Sequence, residues 1–307
     1  MPHSGDSGSY VAAEALRSIR PAPPRGGSAL TTRGDRNPDK SAHPHYNQTV
    51  PIAIIPWFVL PNLPIGPFTL QSFGLLSAAG ILVGIQVAAR AARRDGLDPK
   101  VVLDFSLIAV AGGIIGGHLV HLVFYHPEEL GDPVRILKVW EGLSSMGGLA
   151  GAIVVAAIWF RRRALRFGPF GDAYALGLAP GWGIARLGCF SVHDHPGVRS
   201  DFWLAVDFPG GPRHDLGLYE ALLLFALAAL LFELRRRGQL KGLLLPLLGV
   251  LYGAGRFLLD FLRARPGDLV YADGRQLGLT FAQWFALGLM AWGIARLARR
   301  KAPGEPS

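Results

Sequence analysis

The sequence contains a single cysteine, Cys189, among its 307 residues. An internal disulfide is therefore impossible, and a metal cluster built from several cysteines is excluded. Charged residues are scarce at 17%, and the chain carries no phosphate-binding loop, dinucleotide fingerprint or zinc-protease motif. These absences argue against a soluble nucleotide-binding or metalloprotease domain.

Apolar residues, by contrast, are abundant. They make up 50% of the chain, which also contains 40 glycines, and the mean hydropathy is +0.30. This composition is typical of a polytopic membrane protein, so we predict an all-α fold with seven transmembrane helices of about 20 residues each. The predicted spans are 70–89, 101–125, 142–160, 170–190, 215–234, 243–263 and 278–298.

Basic residues follow every second predicted span. They cluster after spans one, three, five and seven, whereas the opposite loops are poorer in Lys and Arg. Because cationic loops stay on the cytoplasmic side, the N-terminus is predicted outside and the C-terminus in the cytoplasm. The same clusters account for the net charge of +9, so we expect contact with the lipid bilayer and no nucleic-acid partner.

Four regions follow from this topology. Residues 1–47 are rich in Gly, Ser, Pro and charge, which predicts a disordered tail, and residues 48–69 are apolar but broken by proline, which favours an outer-surface segment. Residues 70–301 form the seven-span domain. Residues 302–307 form a short cytoplasmic tail.

Ionisable residues interrupt two of the apolar stretches. Arg186 lies near the outer end of the fourth span. Arg256 and Asp260 lie four residues apart in the sixth, where they can pair along one helix face. Charge at membrane depth is costly and usually functional. Two arginines facing one cavity suit an anionic phospholipid headgroup; helix-to-helix salt bridging is the structural alternative.

Histidines are concentrated in the predicted outer half. His193, Asp194 and His195 follow Arg186, while His118 and His121 lie three apart on one face of the second span. A histidine can act as a general base near neutral pH. One alternative is that the first group lies in a solvated outer loop, and another is that both groups together bind a metal ion; we predict that no metal is bound. We interpret Cys189 as a small buried thiol.

Several motifs, taken in order, resemble those of the prolipoprotein diacylglyceryl transferase family. The resemblance extends from about Ile65 to Leu297. The matching stretches are Ile65-Gly66-Pro67 with Gln71 to Leu75, Trp140-Glu141-Gly142 to Gly147-Gly148-Leu149, Arg186 to Phe190 with Asp194 to Gly197, Arg213-His214 with Leu218-Tyr219-Glu220, and Tyr252-Gly253 with Arg256-Phe257 and Asp260-Phe261.

This resemblance implies a bacterial inner-membrane enzyme with its active site toward the outer leaflet. It would transfer the diacylglyceryl group of phosphatidylglycerol to the lipobox cysteine in the signal peptide of a prolipoprotein, without a cofactor because the phosphate ester is already an activated leaving group. The residues expected to bind substrate are Arg186, Arg256, Asp260, Gly197, Tyr219 and Glu220. Those expected in catalysis are His193, Asp194, His195, His118 and His121.

The sequence departs from the family pattern at several polar positions. Phe73, Met146, Cys189 and Val192 stand where the family has tyrosine, histidine and two asparagines, and Asp194 replaces a glutamate. The histidines near Asp194 suggest that the base has moved to another wall of the cavity. Two alternatives follow: a phospholipid-dependent transferase with another acceptor, or an inactive relative that binds phospholipid or prolipoprotein. Tyr219 and Glu220 can also be read as a structural pair at a helix start.

Overall fold

The computed structural model describes residues 55–66, 68–138, 142, 144–165, 167–265 and 275–299. The predicted tails at 1–47 and 302–307 lie outside these residues. Among these residues, α-helices dominate and occupy all seven predicted spans, with one short extra α-helix. They are α1 Ser72–Arg94, α2 Pro99–Tyr125, α3 Pro133–Leu137, α4 Ser145–Arg162, α5 Phe167–Val192, α6 Leu216–Arg236, α7 Leu244–Leu259 and α8 Phe281–Ala298. Two short 3₁₀ helices span Pro127–Gly131 and Asp260–Leu262.

Five of the described helices are long and apolar enough to cross a membrane: α1, α2, α6, α7 extended to Leu262, and α8. This finding supports a mostly helical membrane protein. Helices α4 and α5 fall outside that set, so the seven-span topology and the orientation of the termini stay predictions. The basic residues do lie where the sequence placed them, in the last turns of α1, α4, α6 and α8.

Local sequence signals set several helix starts. Pro99 occupies the first turn of α2, where Asp98 accepts a hydrogen bond from the Lys100 amide at 2.9 Å. Thr280 and Gln283 form a capping box at the start of α8. These side chains satisfy amides that a helix leaves unpaired, which fixes the first residue of each helix.

Glycine contacts bring the helices together in pairs. A Cβ added at Gly177 of α5 would lie 2.3 Å from the Gly84 carbonyl oxygen of α1, and one added at Gly116 of α2 would lie 2.5 Å from the Gly147 carbonyl oxygen of α4. Such backbone contact requires residues without side chains. Close backbone contact of this kind thus joins α1 to α5 and α2 to α4.

A buried carboxylate outside the predicted sites joins α5 to α7. Asp172 accepts hydrogen bonds from the amides of Gly242 and Leu244, the latter at 2.8 Å. Leu243, the residue before α7, cannot provide a side-chain cap. Asp172 therefore supplies from a distant helix the cap that the local sequence lacks.

Short strands lie next to the helical ends, which the all-α prediction did not include. The strands are β1 Ile55–Pro56, β2 Leu63–Ile65, β3 Phe68–Leu70, β4 Pro196–Arg199, β5 Val206–Phe208, β6 Gly211–Asp215, β7 Arg275–Gln276 and β8 Leu279–Thr280. A four-stranded sheet has the order β1, β5, β6, β4, with β1 parallel to β5 and the other pairs antiparallel. Three of its strands lie between α5 and α6, next to the predicted site.

Candidate functional site

Three helices meet at the buried carboxylate of Glu220. Arg186 of α5 places its Nε 2.8 Å from Glu220 Oε2, and Arg256 of α7 places its Nη1 3.0 Å from Glu220 Oε1. The Tyr252 hydroxyl also donates to Oε2, at 3.3 Å. Glu220 is fully buried and the Arg186 side chain is 15% exposed. The two arginines thus converge on one carboxylate of the protein, which is the helix-to-helix salt bridging given as the structural alternative.

The predicted pair of Arg256 and Asp260 is confirmed, with Nη1 and Oδ1 3.0 Å apart. Asp260 also contacts Arg263 Nε at 3.1 Å and accepts a hydrogen bond from the Thr280 hydroxyl at the start of α8. Both carboxylates of this network are buried. We call Arg186, Glu220, Arg256, Asp260 and Arg263 the arginine cluster.

The arginine cluster carries three guanidinium groups and two carboxylates. Guanidinium groups bind phosphate with paired hydrogen bonds. The cluster can accordingly stabilise a phosphate placed beside it.

A second group of side chains lies next to the cluster. Cys189 Sγ, a carboxylate oxygen of Asp194 and a ring nitrogen of His195 all lie within 4.8 Å of one another. Asp194 and His195 are joined by a hydrogen bond to Nδ1, and Arg186 Nη1 donates to Cys189 Sγ at 3.6 Å. Cys189 is buried, as predicted, whereas Asp194 and His195 are 31% and 25% exposed.

His193 occupies a different environment from its neighbour two residues away. Its ring is fully buried, its Nδ1 lies 2.6 Å from Asp215 Oδ2, and it stacks on Trp57 with ring centroids 4.6 Å apart. The rings of Phe58, Phe190 and Phe208 surround it. Asp215 also caps α6 through the Leu218 amide at 3.1 Å. This packing favours a structural role for His193, so the exposed His195 is the better candidate base.

His118 and His121 share a helix face, as predicted, and that face contacts Gly142. His118 Nδ1 lies 3.4 Å from the Gly142 carbonyl oxygen, and its Nε2 lies 3.1 Å from that of Ile136. A Cβ at Gly142 would overlap His121 Nε2. Both rings therefore lie against the connection between α2 and α4, where His118 contacts backbone oxygens.

Gly197 and Tyr219 connect the sheet to the helices. A Cβ at Gly197 would lie 2.5 Å from the Leu262 carbonyl oxygen, so only glycine fits between β4 and the end of α7. The Tyr219 hydroxyl donates to the Leu204 carbonyl at 3.3 Å and lies 2.8 Å from His214 Nδ1. Tyr219 and Glu220 thus bond to different partners within the protein, both near the start of α6.

The departures from the family pattern differ in how they relate to this site. The Phe73 backbone packs on Gly188, where an added Cβ would lie 3.1 Å from the Phe73 carbonyl oxygen, so Phe73 is near Cys189. The side chain of Met146 lies outside the described residues, as do Trp140 and Glu141. The roles of Asp215 and Thr280 were not predicted from the sequence. Each residue immediately precedes a helix, which is the position of a capping residue, and this position was the signal that could have identified them.

Known proteins resemble this chain over most of its length. A family model described as prolipoprotein diacylglyceryl transferase matches residues 61–299. A phosphatidylglycerol–prolipoprotein diacylglyceryl transferase of Methylocella silvestris is 35% identical over 251 residues, covering 77% of this chain and 91% of the relative. Proteins of the same name from Chromohalobacter salexigens and Symbiobacterium thermophilum are each 32% identical, covering 74% and 73% of this chain and 84% and 91% of those relatives.

Proposed function

This chain belongs to the prolipoprotein diacylglyceryl transferase family, and from that premise we propose that it transfers the diacylglyceryl group of phosphatidylglycerol to a prolipoprotein at the arginine cluster. It is a transferase of lipoprotein biosynthesis in a bacterial membrane. The observation that carries the site assignment is the convergence of Arg186 and Arg256 on one buried carboxylate.

The donor phosphate binds beside Arg186 and Arg256. Each guanidinium carries five N–H donors, so the ion pair with Glu220 leaves others for phosphate oxygens. Glu220 and Asp260 hold the two guanidinium planes in place. Because the positive charges are fixed before the donor arrives, they stabilise the charge that develops on the leaving phosphate.

The acceptor is the thiol of a lipobox cysteine. Its thiolate attacks the glyceryl carbon that bears the phosphate, a C–S bond forms, and the C–O bond breaks with its electron pair going to the departing glycerol phosphate. Asp194 and His195 help to generate the thiolate. Both side chains are partly exposed, and both lie close to Cys189, whose Sγ accepts a hydrogen bond from Arg186. The thiol proton leaves to solvent.

We further propose the topology that the charges predict. The site lies toward the outer leaflet of the plasma membrane, and the basic helix ends of α1, α4, α6 and α8 face the cytoplasm. With this orientation, a prolipoprotein emerging on the outer side reaches Asp194 and His195 from the bilayer.

Complementation tests this function. In a bacterial strain depleted of its own transferase, we expect the wild-type chain to restore growth and diacylglyceryl-modified lipoproteins, detected by mass. Arg186→Lys keeps the charge but loses the planar fork, and we expect the transfer rate to fall by about 10²-fold or more. Arg237→Lys, at an exposed ion pair with Glu233, is the matched control and should behave as the wild type.

Either of two results would contradict the proposal. A wild-type chain that is inserted and abundant in the membrane yet restores no modified lipoprotein lacks the proposed activity. Full activity in Arg186→Lys would mean that the fork of Arg186 does not bind the phosphate.

A further inference from the structure

The group formed by Cys189, Asp194 and His195 has the composition of a catalytic zinc site. Thiolate, carboxylate and imidazole are the three ligand types that zinc takes in proteins, and catalytic sites use three protein ligands and leave a fourth position open. Here the three ligand atoms lie within 4.8 Å of one another. From this arrangement, and resting on the proposed function, we propose that these residues bind one Zn²⁺ whose open position takes the acceptor thiol.

The distances are close to those a zinc ion requires. Bonds of about 2.0–2.3 Å in a tetrahedron place ligand atoms about 3.3–3.8 Å apart. The three ligand atoms lie within 4.8 Å of one another, so small shifts are enough, and Asp194 and His195 exchange their mutual hydrogen bond for bonds to the metal. Cys189 is fixed in α5, whereas Asp194 and His195 lie in the turn between α5 and β4. Rotation of these two partly exposed side chains provides the movement without a change in the helices.

The charges of the group also fit a divalent cation. Ionised Cys189 and Asp194 with neutral His195 contribute two negative charges, which balance Zn²⁺. Arg186 donates to Cys189 Sγ at 3.6 Å, and its own charge is offset by Glu220. Contacts of this kind around a ligand orient it and tune the metal. Soft thiolate and imidazole ligands favour zinc over Mg²⁺ or Ca²⁺.

The open position explains how the acceptor becomes reactive. A thiol that coordinates a metal ion loses its proton outright, so the acceptor reaches the donor carbon as a thiolate. Its sulfur then forms the C–S bond while the phosphate leaves with the C–O electron pair, and the thiol proton has already passed to solvent. Asp194 and His195 thus serve as ligands, which departs from the cofactor-free reaction expected from the sequence.

A covalent role for Cys189 is chemically weaker. If its sulfur accepted the diacylglyceryl group, the product would be a thioether. The second transfer would then have to break a C–S bond that lacks a good leaving group, whereas the phosphate ester of the donor already has one. Coordination uses the same thiolate without this step.

The test measures the metal first and activity second. The full chain is purified in detergent without a polyhistidine tag, and its zinc content is measured by mass spectrometry. We expect about one zinc ion per chain, lost in Cys189→Ser and in His195→Ala but kept in His126→Ala, a matched control at an exposed histidine. Cobalt substitution of the wild type should give the charge-transfer absorption of a thiolate–Co²⁺ bond, absent in Cys189→Ser.

Activity then separates the two proposals. Transfer from phosphatidylglycerol vesicles to a cysteine-containing lipobox peptide should fall when zinc is chelated and recover when it is added back. Zinc content no higher in the wild type than in Cys189→Ser, or full transfer by a zinc-free chain, overturns the zinc site and leaves the proposed function standing. Bound zinc without any transfer by the wild type overturns the proposed function instead.

Discussion

At the scale of single residues, Glu220 has the greatest influence on the site. It forms ion pairs with both Arg186 and Arg256, and it is fully buried. Breaking a buried ion pair from one side leaves uncompensated charge, which costs more than the pair contributes. Its position between the arginines therefore determines whether they can stay close together before the donor binds.

Replacing this carboxylate tests that role. Glu220→Gln keeps the shape but leaves two guanidinium groups without their shared partner, and we expect the free energy of unfolding to fall by about 3–5 kcal/mol. Thermal unfolding in detergent measures the change. Glu233→Gln, which breaks exposed pairs with Arg236 and Arg237, should cost about 0–1 kcal/mol; equal losses in the two variants would refute a special role for Glu220.

His214 provides a test at acidic pH. Burial lowers the pKa of His214 from the usual value of about 6.5, because removing the ring from water disfavours its charged form. The unfolded chain therefore binds more protons than the folded chain below that pH, so stability is complete above about 6.5 and is lost as the pH falls toward the lowered pKa. His214→Gln should flatten this acid loss in thermal unfolding, and an unchanged slope would show that His214 is not responsible.

At the scale of elements, the glycine contact between α1 and α5, which we call the seam, sets the distance between these two helices. The Gly177 position is closed by the Gly84 carbonyl oxygen and the Ala88 side chain, whereas Gly288 of α8 has nothing within 4 Å of an added Cβ. Backbone atoms cannot rotate away as side chains can. The seam is consequently intolerant of even one methyl group.

Two alanine variants compare these positions. Gly177→Ala should separate α1 from α5 and lower the free energy of unfolding by about 1–3 kcal/mol. Gly288→Ala should leave it unchanged or raise it by up to about 1 kcal/mol, since alanine favours the helix. Thermal unfolding of both variants in the same detergent measures these changes. An unchanged free energy of unfolding in Gly177→Ala would mean that the two helices can separate without cost.

The elements also show what the sequence could predict and what it could not. Helix positions follow from apolar runs, and Arg256 and Asp260 were paired correctly because a local i, i+4 rule joins them. The bridge from Arg186 through Glu220 joins three helices, and no local rule predicts it. The sheet was missed because its strands are short and its β1 lies far in sequence from β5. The neighbours of Cys189 depend on how the turn after α5 folds.

At the scale of the whole molecule, the proposed orientation determines which side carries the site. The loop after α6 and the sheet lie at opposite ends of α6. They should therefore be separated by the membrane, with the sheet outside. The native cysteine is buried, so an introduced cysteine can report on each side with little background.

Labelling with a membrane-impermeant thiol reagent tests this orientation. Asp201→Cys, at an exposed position between β4 and β5, should react in intact spheroplasts, whereas Gln239→Cys, exposed after α6, should react only after lysis. The wild type is the control for background reaction at Cys189. The reverse pattern would invert the proposed topology and place the arginine cluster on the cytoplasmic side.

The three-helix bridge at Glu220 also has a consequence for biosynthesis. Arg186 emerges from the ribosome first, Glu220 follows on the next helix, and Arg256 follows on the one after. At about 5–20 residues per second, each charge waits seconds for its partner, and during that time its helix is poorly suited to lipid. In the proposed seven-span topology, helix α5 must therefore stay at the insertion machinery until α6 arrives, so the membrane receives these helices as a group rather than one by one.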